Sequence, residues 1–196
     1  MIVDRRRSRA ISIFSCAISA IGISRIVDIM RKMTEKNLGD AYAGESQAYM
    51  KYNIWADKAE QEGKRGVAKL FRAISHAEKV HATNHWRALG MIKSTKENLQ
   101  GAIDGEVHEV EEMYPAYKAV AQLQNEKAAL KSMDYALEAE KIHAEMYKKA
   151  KEAVEAGKDI QIGDIYICPI CGFTVEGTPP DKCPVCAARK ESFAKF

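Results

Sequence analysis

The pattern of apolar and polar positions predicts long helices over most of the chain. Between residues 34 and 156, Ala, Glu, Lys, Met and Leu dominate, a single proline occurs and glycine is sparse. These residue types lose little conformational freedom in a helix. The predicted helices cover about 34–62, 67–89, a segment that begins near Thr95, and 126–156. Four helices of this length predict a helical bundle.

Glycine and proline mark the ends and interruptions of these helices. Gly63 and Gly66 interrupt the pattern after the first helix. Gly90 ends the second helix and Gly157 the fourth, because glycine readily adopts the left-handed conformation found at helix C-termini. Pro115 lies within the third segment, where an alanine-rich pattern resumes after it. We therefore expect Pro115 to bend that helix rather than to end it.

The composition changes after Gly157. Isoleucine and tyrosine, which favour strands, become frequent, and glycine and proline punctuate the remaining residues. These last ~40 residues are too few to hold a hydrophobic core without a disulfide or a metal. The sequence therefore predicts an N-terminal extension, a helical domain and a small second domain, at residues 1–33, 34–157 and 158–196.

The formal net charge of +3 is concentrated in the extension. Residues 1–33 hold seven Lys or Arg and two Asp or Glu, whereas residues 34–196 hold 23 and 25. The rest of the chain is therefore slightly acidic and gives no indication of nucleic-acid binding. Because no stretch reaches the run of about 18 apolar residues that a membrane span needs, we expect no membrane-spanning segment.

The extension itself allows three interpretations. Four arginines precede a moderately apolar run from Ala10 to Ile23, as in an export signal, but three serines and a glycine interrupt that run. The first is a segment that is dispensable for the fold, with Met30 or Met33 as the working start. The second is an export or anchoring signal, and the third is a basic interaction arm.

Four of the five cysteines form two Cys-x-x-Cys pairs near the C-terminus. Cys168 pairs with Cys171 and Cys183 with Cys186, and eleven residues separate the pairs, a spacing that presents four thiolates to one tetrahedral metal. A structural zinc ribbon and a redox-active iron site both fit this spacing. The proline after the first cysteine of each pair and the nearby aromatic residues make the segment resemble rubredoxin, whose iron carries single electrons.

The motif Glu-x-x-His occurs twice in the helical part. Glu78 and His81 belong to the second predicted helix, and Glu140 and His143 to the fourth. A spacing of three places the glutamate and the histidine on one helix face. Two such motifs, with a glutamate from each of the other two helices, form the dinuclear metal site of ferritin-like bundles.

The other two helices offer carboxylates for the same site. Glu45, beside the small residues Ala43 and Gly44, is the candidate in the first helix. Glu106 and Glu109 are three residues apart in the third helix and so share a face. Solvated, packed or surface roles are expected for the neighbouring polar residues His76, His85, His108, Glu111 and Glu112.

Taken in order, these motifs resemble the rubrerythrin family over residues 33–196. The resemblance rests on Thr34-Glu-Lys-Asn-Leu, Ala43-Gly-Glu-Ser-Gln-Ala, Gly105-Glu-x-x-Glu, Glu112-Met-Tyr-Pro115, Glu140-x-x-His143 and the rubredoxin-like C-terminal segment. It implies a mainly α fold, in which a ferritin-like four-helix bundle precedes a small rubredoxin-like domain of strands and loops around one iron.

The resemblance also implies roles for the site residues. The implied ligands of two irons are bridging Glu78 and Glu140, the further oxygen ligands Glu45, Glu106 and Glu109, and the nitrogen ligands His81 and His143. In the family one iron exchanges its histidine for the extra glutamate on oxidation, which corresponds here to His81 and Glu109. Tyr52 and Tyr114 match tyrosines that hydrogen-bond ligand carboxylates. Cys168, Cys171, Cys183 and Cys186 would hold the third iron.

The implied activity is the reduction of hydrogen peroxide to water, as protection against oxidative stress. The rubredoxin-like centre would return electrons one at a time. Because the sequence shows no nucleotide-binding glycine motif, we expect a protein donor, either a rubredoxin or a flavin-containing NAD(P)H reductase. The linker between the domains does not guarantee that the two metal sites meet within one chain. Family members bring them together by head-to-tail dimerisation, some with exchanged helices, so we expect a homodimer.

Two other functions stay open. An iron-oxidising and iron-storing ferritin-like protein that uses dioxygen would have similar helical ligands, but storage does not call for a rubredoxin-like segment. A scaffold with a zinc tetrathiolate would need no redox chemistry. Reduced thiols together with ferrous iron favour a cytoplasmic location.

Overall fold

The structure is a computed structural model that describes residues 30–196, so the interpretations of residues 1–29 lie outside it. Its helices and strands are α1 (Lys32–Gln61), α2 (Arg65–Ala88), α3 (Thr95–His108), α4 (Tyr114–Leu123), α5 (Lys127–Glu155), β1 (Ile165–Ile167), β2 (Thr174–Glu176) and β3 (Ala194–Lys195). A π-helical turn, Glu109–Met113, joins α3 to α4, and the expected mainly α fold with four helical segments is confirmed. No helix in this part of the chain is long and apolar enough to cross a membrane.

Pro115 stays within a helical segment, as the sequence predicts. Proline has no N–H, and in an α-helix its ring collides with the carbonyl group of the fourth preceding residue. The helix widens just before it, where the N–H of Tyr114 donates to the carbonyl oxygen of Glu109, five residues earlier. The π-helical turn thus accommodates Pro115, and it carries Glu109.

The helices pack as two hairpins. In the N-terminal hairpin, α1 and α2 pack together, and the turn between them contains Gly63 at φ 73°. Ser75 of α2, 1% exposed, ties the two helices because its hydroxyl donates to the carbonyl oxygen of Tyr49 at 2.9 Å and accepts from Asn53 Nδ2 at 2.7 Å. In the C-terminal hairpin, α3, the π-helical turn and α4 pack against α5.

The two hairpins do not pack against each other within residues 30–196. No Cα atom of α1 or α2 lies within 8 Å of one in α3, α4 or α5. Large apolar side chains are consequently exposed on the N-terminal hairpin, among them Met50, Ile54, Trp55, Leu70 and Ile74. The ends of the hairpins are joined only by residues 89–94.

The second domain is a small antiparallel sheet whose strand order is β2-β1-β3. Its apolar centre surrounds three buried cysteines and contains Phe173 and Phe193. This domain packs on α5, where Tyr135 contacts the cysteine cluster and Ala139 faces Gly172. A Cβ atom at Gly172 would lie 3.6 Å from that of Ala139, so the domain and the helix are in van der Waals contact.

Candidate metal centres

The four cysteines converge as their spacing predicts. Cys168 Sγ lies 3.5 Å from Cys186 Sγ, and Cys171 Sγ lies 3.4 Å from Cys183 Sγ. All four sulfur atoms lie within 4.8 Å of one another. Tetrahedral thiolates about 2.3 Å from a metal are about 3.8 Å apart, so this arrangement fits one tetrahedral ion.

Two matching turns present these thiols. The N–H of Gly172 donates to the carbonyl oxygen of Cys168, and the N–H of Ala187 donates to that of Cys183, each at 2.9 Å. Gly172 has φ 79° and Ala187 has φ 61°, the left-handed conformation that closes each turn just after its second cysteine. A glycine such as Gly172 indicates a left-handed turn from the sequence alone, whereas an alanine such as Ala187 does not.

The cysteine cluster needs a cation to be fully ionised. Burial raises the pKa of the Cys171 thiol far above its ordinary value. Burial also raises the pKa of Cys168, but the N–H groups of Ile170 and Cys171 outweigh it and bring that pKa below its ordinary value. A bound metal ion supplies the positive charge that lets all four thiols ionise together.

The first group of helical ligands, here called the N-terminal trio, is Glu45 of α1 with Glu78 and His81 of α2. His81 Nδ1 lies 3.1 Å from Glu78 Oε2 and 3.9 Å from Glu45 Oε1. A hydrogen bond with Glu78 raises the pKa of Glu45, aided by burial and the charge of Glu78. The hydrogen bond with Glu45 and a second hydrogen bond, with His81, lower the pKa of Glu78. The carboxyl groups of Glu45 and Glu78 therefore lie close enough to affect each other's ionisation, and a cation between them would offset their charges.

The second group, the C-terminal trio, is Glu106 of α3 with Glu140 and His143 of α5. His143 Nδ1 lies 2.6 Å from Glu140 Oε2. Burial, a hydrogen bond with Glu140 and the charges of Glu140 and Glu109 raise the pKa of Glu106 to about 7. The two trios are thus chemically equivalent, and each joins a Glu-x-x-His motif to a glutamate of the neighbouring helix.

Two further residues predicted from the sequence lie beside the C-terminal trio. Burial and the charge of Glu140 raise the pKa of Glu109. Burial, followed by the charges of Glu109, Glu140 and Glu106, raises the pKa of Tyr114. Tyr114, the residue that follows the π-helical turn, therefore lies within electrostatic range of all three carboxylates.

Unlike Tyr114, Tyr52 lies among aromatic side chains. Its ring lies 5.5 Å from that of Trp55 and 6.1 Å from that of Phe71, in an aromatic group on the N-terminal hairpin. It stands seven residues after Glu45, which places both on the same face of α1. Its hydrogen bond to a ligand carboxylate stays a prediction.

The structure brings together the members of each trio but not the two trios. Because the hairpins that carry them make no contact within residues 30–196, the seven predicted ligands are divided between two separate surfaces. Sequence spacing gave no signal of this division, since it reports which residues share a helix face and not which helices pair.

One polar contact was not found from the sequence. Thr174, at the start of β2, places Oγ1 2.9 Å from His143 Nε2. The cysteine cluster and the C-terminal trio are therefore neighbours within a single chain. Thr174 lies three residues after Cys171, a position for which the Cys-x-x-Cys motif prescribes no residue.

The donor atoms fit the metals that the sequence implies. Carboxylate oxygens with an imidazole nitrogen in each trio suit iron, and four thiolates suit iron or zinc. The raised pKa values of Glu45 and Glu106 reflect acidic groups that lie close together, where a positive charge would stabilise them. The residues present therefore fit a dinuclear iron centre and a tetrathiolate centre.

Comparison with known proteins identifies relatives over both parts of the chain. A family model for rubrerythrin matches residues 36–151, and one for the rubrerythrin rubredoxin-like domain matches residues 166–194. Rubrerythrin-2 of Clostridium acetobutylicum is 41% identical over 87% of this chain and 100% of its own length. Nigerythrin of Nitratidesulfovibrio vulgaris is 31% identical over 83% of this chain and 86% of its own length. A solved structure of mixed-valence nigerythrin, 27% identical, covers 98% of this chain and 100% of that chain at a TM-score of 0.49.

Proposed function

The chain belongs to the rubrerythrin family, and from that premise we propose how its own residues carry out the reaction. It is a non-haem di-iron peroxidase that reduces hydrogen peroxide to water and so protects against oxidative stress. When bound, the two irons supply one electron each to the O–O bond of peroxide, which takes up two protons to give two water molecules.

The two trios and Glu109 form the ligand set of the iron pair. Glu78 hydrogen-bonds with Glu45 and lies beside His81, and Glu140 hydrogen-bonds with Glu106 and lies beside His143. In each trio the carboxylate that neighbours both other members belongs to the Glu-x-x-His motif. This central position supports Glu78 and Glu140 as the bridging ligands, with Glu45 and Glu106 as terminal ones.

His81 and Glu109 are assigned to the ligand exchange that accompanies oxidation. The His81 side chain is 54% exposed, and within residues 30–196 its ion-pair partners are Glu45 and Glu78. By contrast, Nε2 of His143 lies 2.9 Å from Oγ1 of Thr174, which restrains the ring from the side opposite Glu140. With iron bound, the less restrained imidazole of His81 would be the one to exchange for a carboxylate. Glu109, beside the C-terminal trio, adds a negative charge that favours the oxidised pair.

Tyr114 and Tyr52 orient the ligand carboxylates in this proposal. The Tyr114 phenol is protonated at neutral pH, since burial raises its pKa further above the ordinary value of 10.0, so its O–H can donate to a carboxylate. Tyr52 shares the face of α1 that carries Glu45, and it would approach the carboxylates of the other hairpin once the two hairpins pair.

Electrons return through the four-cysteine centre. Its domain packs on α5 beside His143, so it can pass electrons to the iron pair. Cys186 is the least buried of the four cysteines, and the nearby Ile170 side chain is 61% exposed. This face is the entry point for electrons from a protein donor, a rubredoxin or a flavin-containing NAD(P)H reductase. The packed cysteine domain also favours peroxide reduction over iron storage, which needs no electron relay.

A second copy of the chain completes each iron pair. Ferritin-like bundles contain a long crossover connection between their two hairpins. Here residues 89–94 reach at most about 24 Å, whereas α2 alone is about 36 Å long. The N-terminal hairpin therefore cannot fold back onto the C-terminal hairpin of its own chain in that topology. In the proposed homodimer it pairs with the C-terminal hairpin of the other copy, and both exposed apolar faces become covered.

Metal content and peroxide titration of anaerobically purified protein test this function. We expect one thiolate-bound iron and one iron pair per chain, and oxidation of the reduced pair by one equivalent of hydrogen peroxide. Faster oxidation by dioxygen than by peroxide would favour the ferroxidase alternative, and zinc without iron would rule out redox chemistry. We further place the protein in the cytoplasm, where thiols and ferrous iron stay reduced.

A further inference from the structure

Both ring nitrogens of His143 lie beside a polar atom of another side chain. On one side, Nδ1 lies 2.6 Å from Oε2 of Glu140. On the other side, Nε2 lies 2.9 Å from Oγ1 of Thr174, a residue of the cysteine-bearing domain. The ring is thus fixed between its own helix and a different domain.

The hydroxyl of Thr174 determines which nitrogen can bind a metal. It donates its proton to the carbonyl oxygen of Gly172 at 2.9 Å. A threonine hydroxyl has a single proton, so towards His143 it can only accept. The proton in that second hydrogen bond therefore belongs to His143 Nε2. The lone pair of the neutral ring is then on Nδ1, on the side of Glu140.

The position of this hydroxyl is itself fixed. Thr174 is 5% exposed, and in the sheet it pairs with Ile167 of β1. Tyr135 of α5 packs against the cysteine cluster, and Gly172 leaves room for only one Cβ-sized atom before Ala139, so the cysteine-bearing domain lies close against α5. Backbone pairing and packing thus hold Oγ1 in place independently of the hydrogen bond with His143.

We propose that Thr174 is a positioning residue for the iron pair, which fixes the ring of His143 and its Nε2–H tautomer so that Nδ1 binds iron. A partner on the non-ligating nitrogen orients a metal-bound imidazole and raises its basicity. His143 therefore keeps its iron, while His81, which lacks such a support within residues 30–196, is free to exchange. This inference rests on the proposed ligand set but not on the peroxide reaction.

The test uses the full-length protein loaded with zinc(II), which binds both centres and is suited to NMR. We compare Thr174→Val, which removes the hydroxyl at similar volume, with Thr174→Ser, which keeps it. The matched control is Thr178→Val, because Thr178 is exposed in the same domain. Two quantities are measured: the zinc affinity of the helical centre, by chelator competition, and the nitrogen chemical shifts of His143, which report the tautomer.

We expect Thr174→Val to weaken zinc binding at the helical centre by about 10-fold to 100-fold and to lose the single Nε2–H tautomer. Thr174→Ser and Thr178→Val should match the unmodified protein in both measurements. Unchanged affinity and tautomer in Thr174→Val, or a loss that Thr174→Ser does not restore, would overturn the role of the hydroxyl. An unmodified protein that binds no metal on its helices would instead contradict the proposed ligand set.

Discussion

The imidazole of His143 and the hydroxyl of Thr174 lie 2.9 Å apart although 31 positions separate them in the chain. This hydrogen bond joins a proposed ligand of the helical centre to the domain that carries the four cysteines. Electron transfer between the two centres therefore does not need a second copy to bring them close. In the proposed homodimer the second copy has a different purpose, because the N-terminal and C-terminal trios lie on hairpins whose Cα atoms do not come within 8 Å of each other.

Mixed dimers of two inactive variants test the division of the ligands. Glu78→Gln damages the N-terminal trio and Glu140→Gln the C-terminal trio. In an exchanged dimer of one chain of each kind, one centre receives both intact trios and the other receives neither. We expect mixed dimers, isolated with two different affinity tags, to regain about half of the iron pairs and of the peroxide turnover.

The matched control is a mixed dimer of one Glu78→Gln chain and one His81→Gln chain. Both substitutions lie in the N-terminal trio, so every centre of that mixed dimer has one damaged trio and no activity should return. If the dimer of Glu78→Gln and Glu140→Gln were equally inactive, each centre would be built from one chain and the exchange would be wrong.

Removal of Glu109 separates catalysis from metal retention. Because six ligands remain, Glu109→Ala should keep its iron pair while its peroxide turnover falls by about 10-fold to 100-fold. Glu111→Ala is the control, since Glu111 is exposed on the same π-helical turn. Iron analysis and stopped-flow oxidation by peroxide give the two quantities. Loss of the whole iron pair in Glu109→Ala would mean that Glu109 holds the metal in both oxidation states.

The raised pKa of Glu106 predicts a pH dependence of the metal-free protein. Between its ordinary value of 4.5 and about 7, folded Glu106 keeps a proton that the unfolded chain has released. The free energy of unfolding should therefore fall as pH rises through this window. Iron(II) must displace the same proton, so its affinity should rise with pH over the same range.

Glu106→Gln is the variant that checks this assignment. Urea unfolding of the metal-free protein at about pH 5 and about pH 8 should show a smaller loss of stability in Glu106→Gln than in the unmodified protein. The same pH dependence in both proteins would show that another group is responsible.

Disruption of the cysteine cluster should stop turnover without stopping the first reaction. Cys171→Ser is expected to leave a single oxidation of the reduced iron pair by peroxide intact. Steady-state turnover with a protein donor should be lost, because electrons no longer reach the pair. Stopped-flow and steady-state assays of one preparation distinguish these effects, and an unchanged steady-state rate would mean that electrons bypass the cysteine domain.

The sequence by itself determined the elements and the chemistry of this protein. Helix periodicity placed Glu78 with His81 and Glu140 with His143, because residues three apart share a helix face. The two Cys-x-x-Cys pairs likewise predicted a tetrathiolate centre, because each motif closes its own local turn. These features follow from short-range geometry, and a local sequence pattern contains all of that geometry.

Only the tertiary structure decided how the elements meet. The contact between Thr174 and His143 depends on how the cysteine domain docks on α5. The separation of the two trios depends on a connection, residues 89–94, that is short compared with the helices it joins. Such pairings are fixed by long-range packing and chain reach, for which residue spacing within one helix contains no signal.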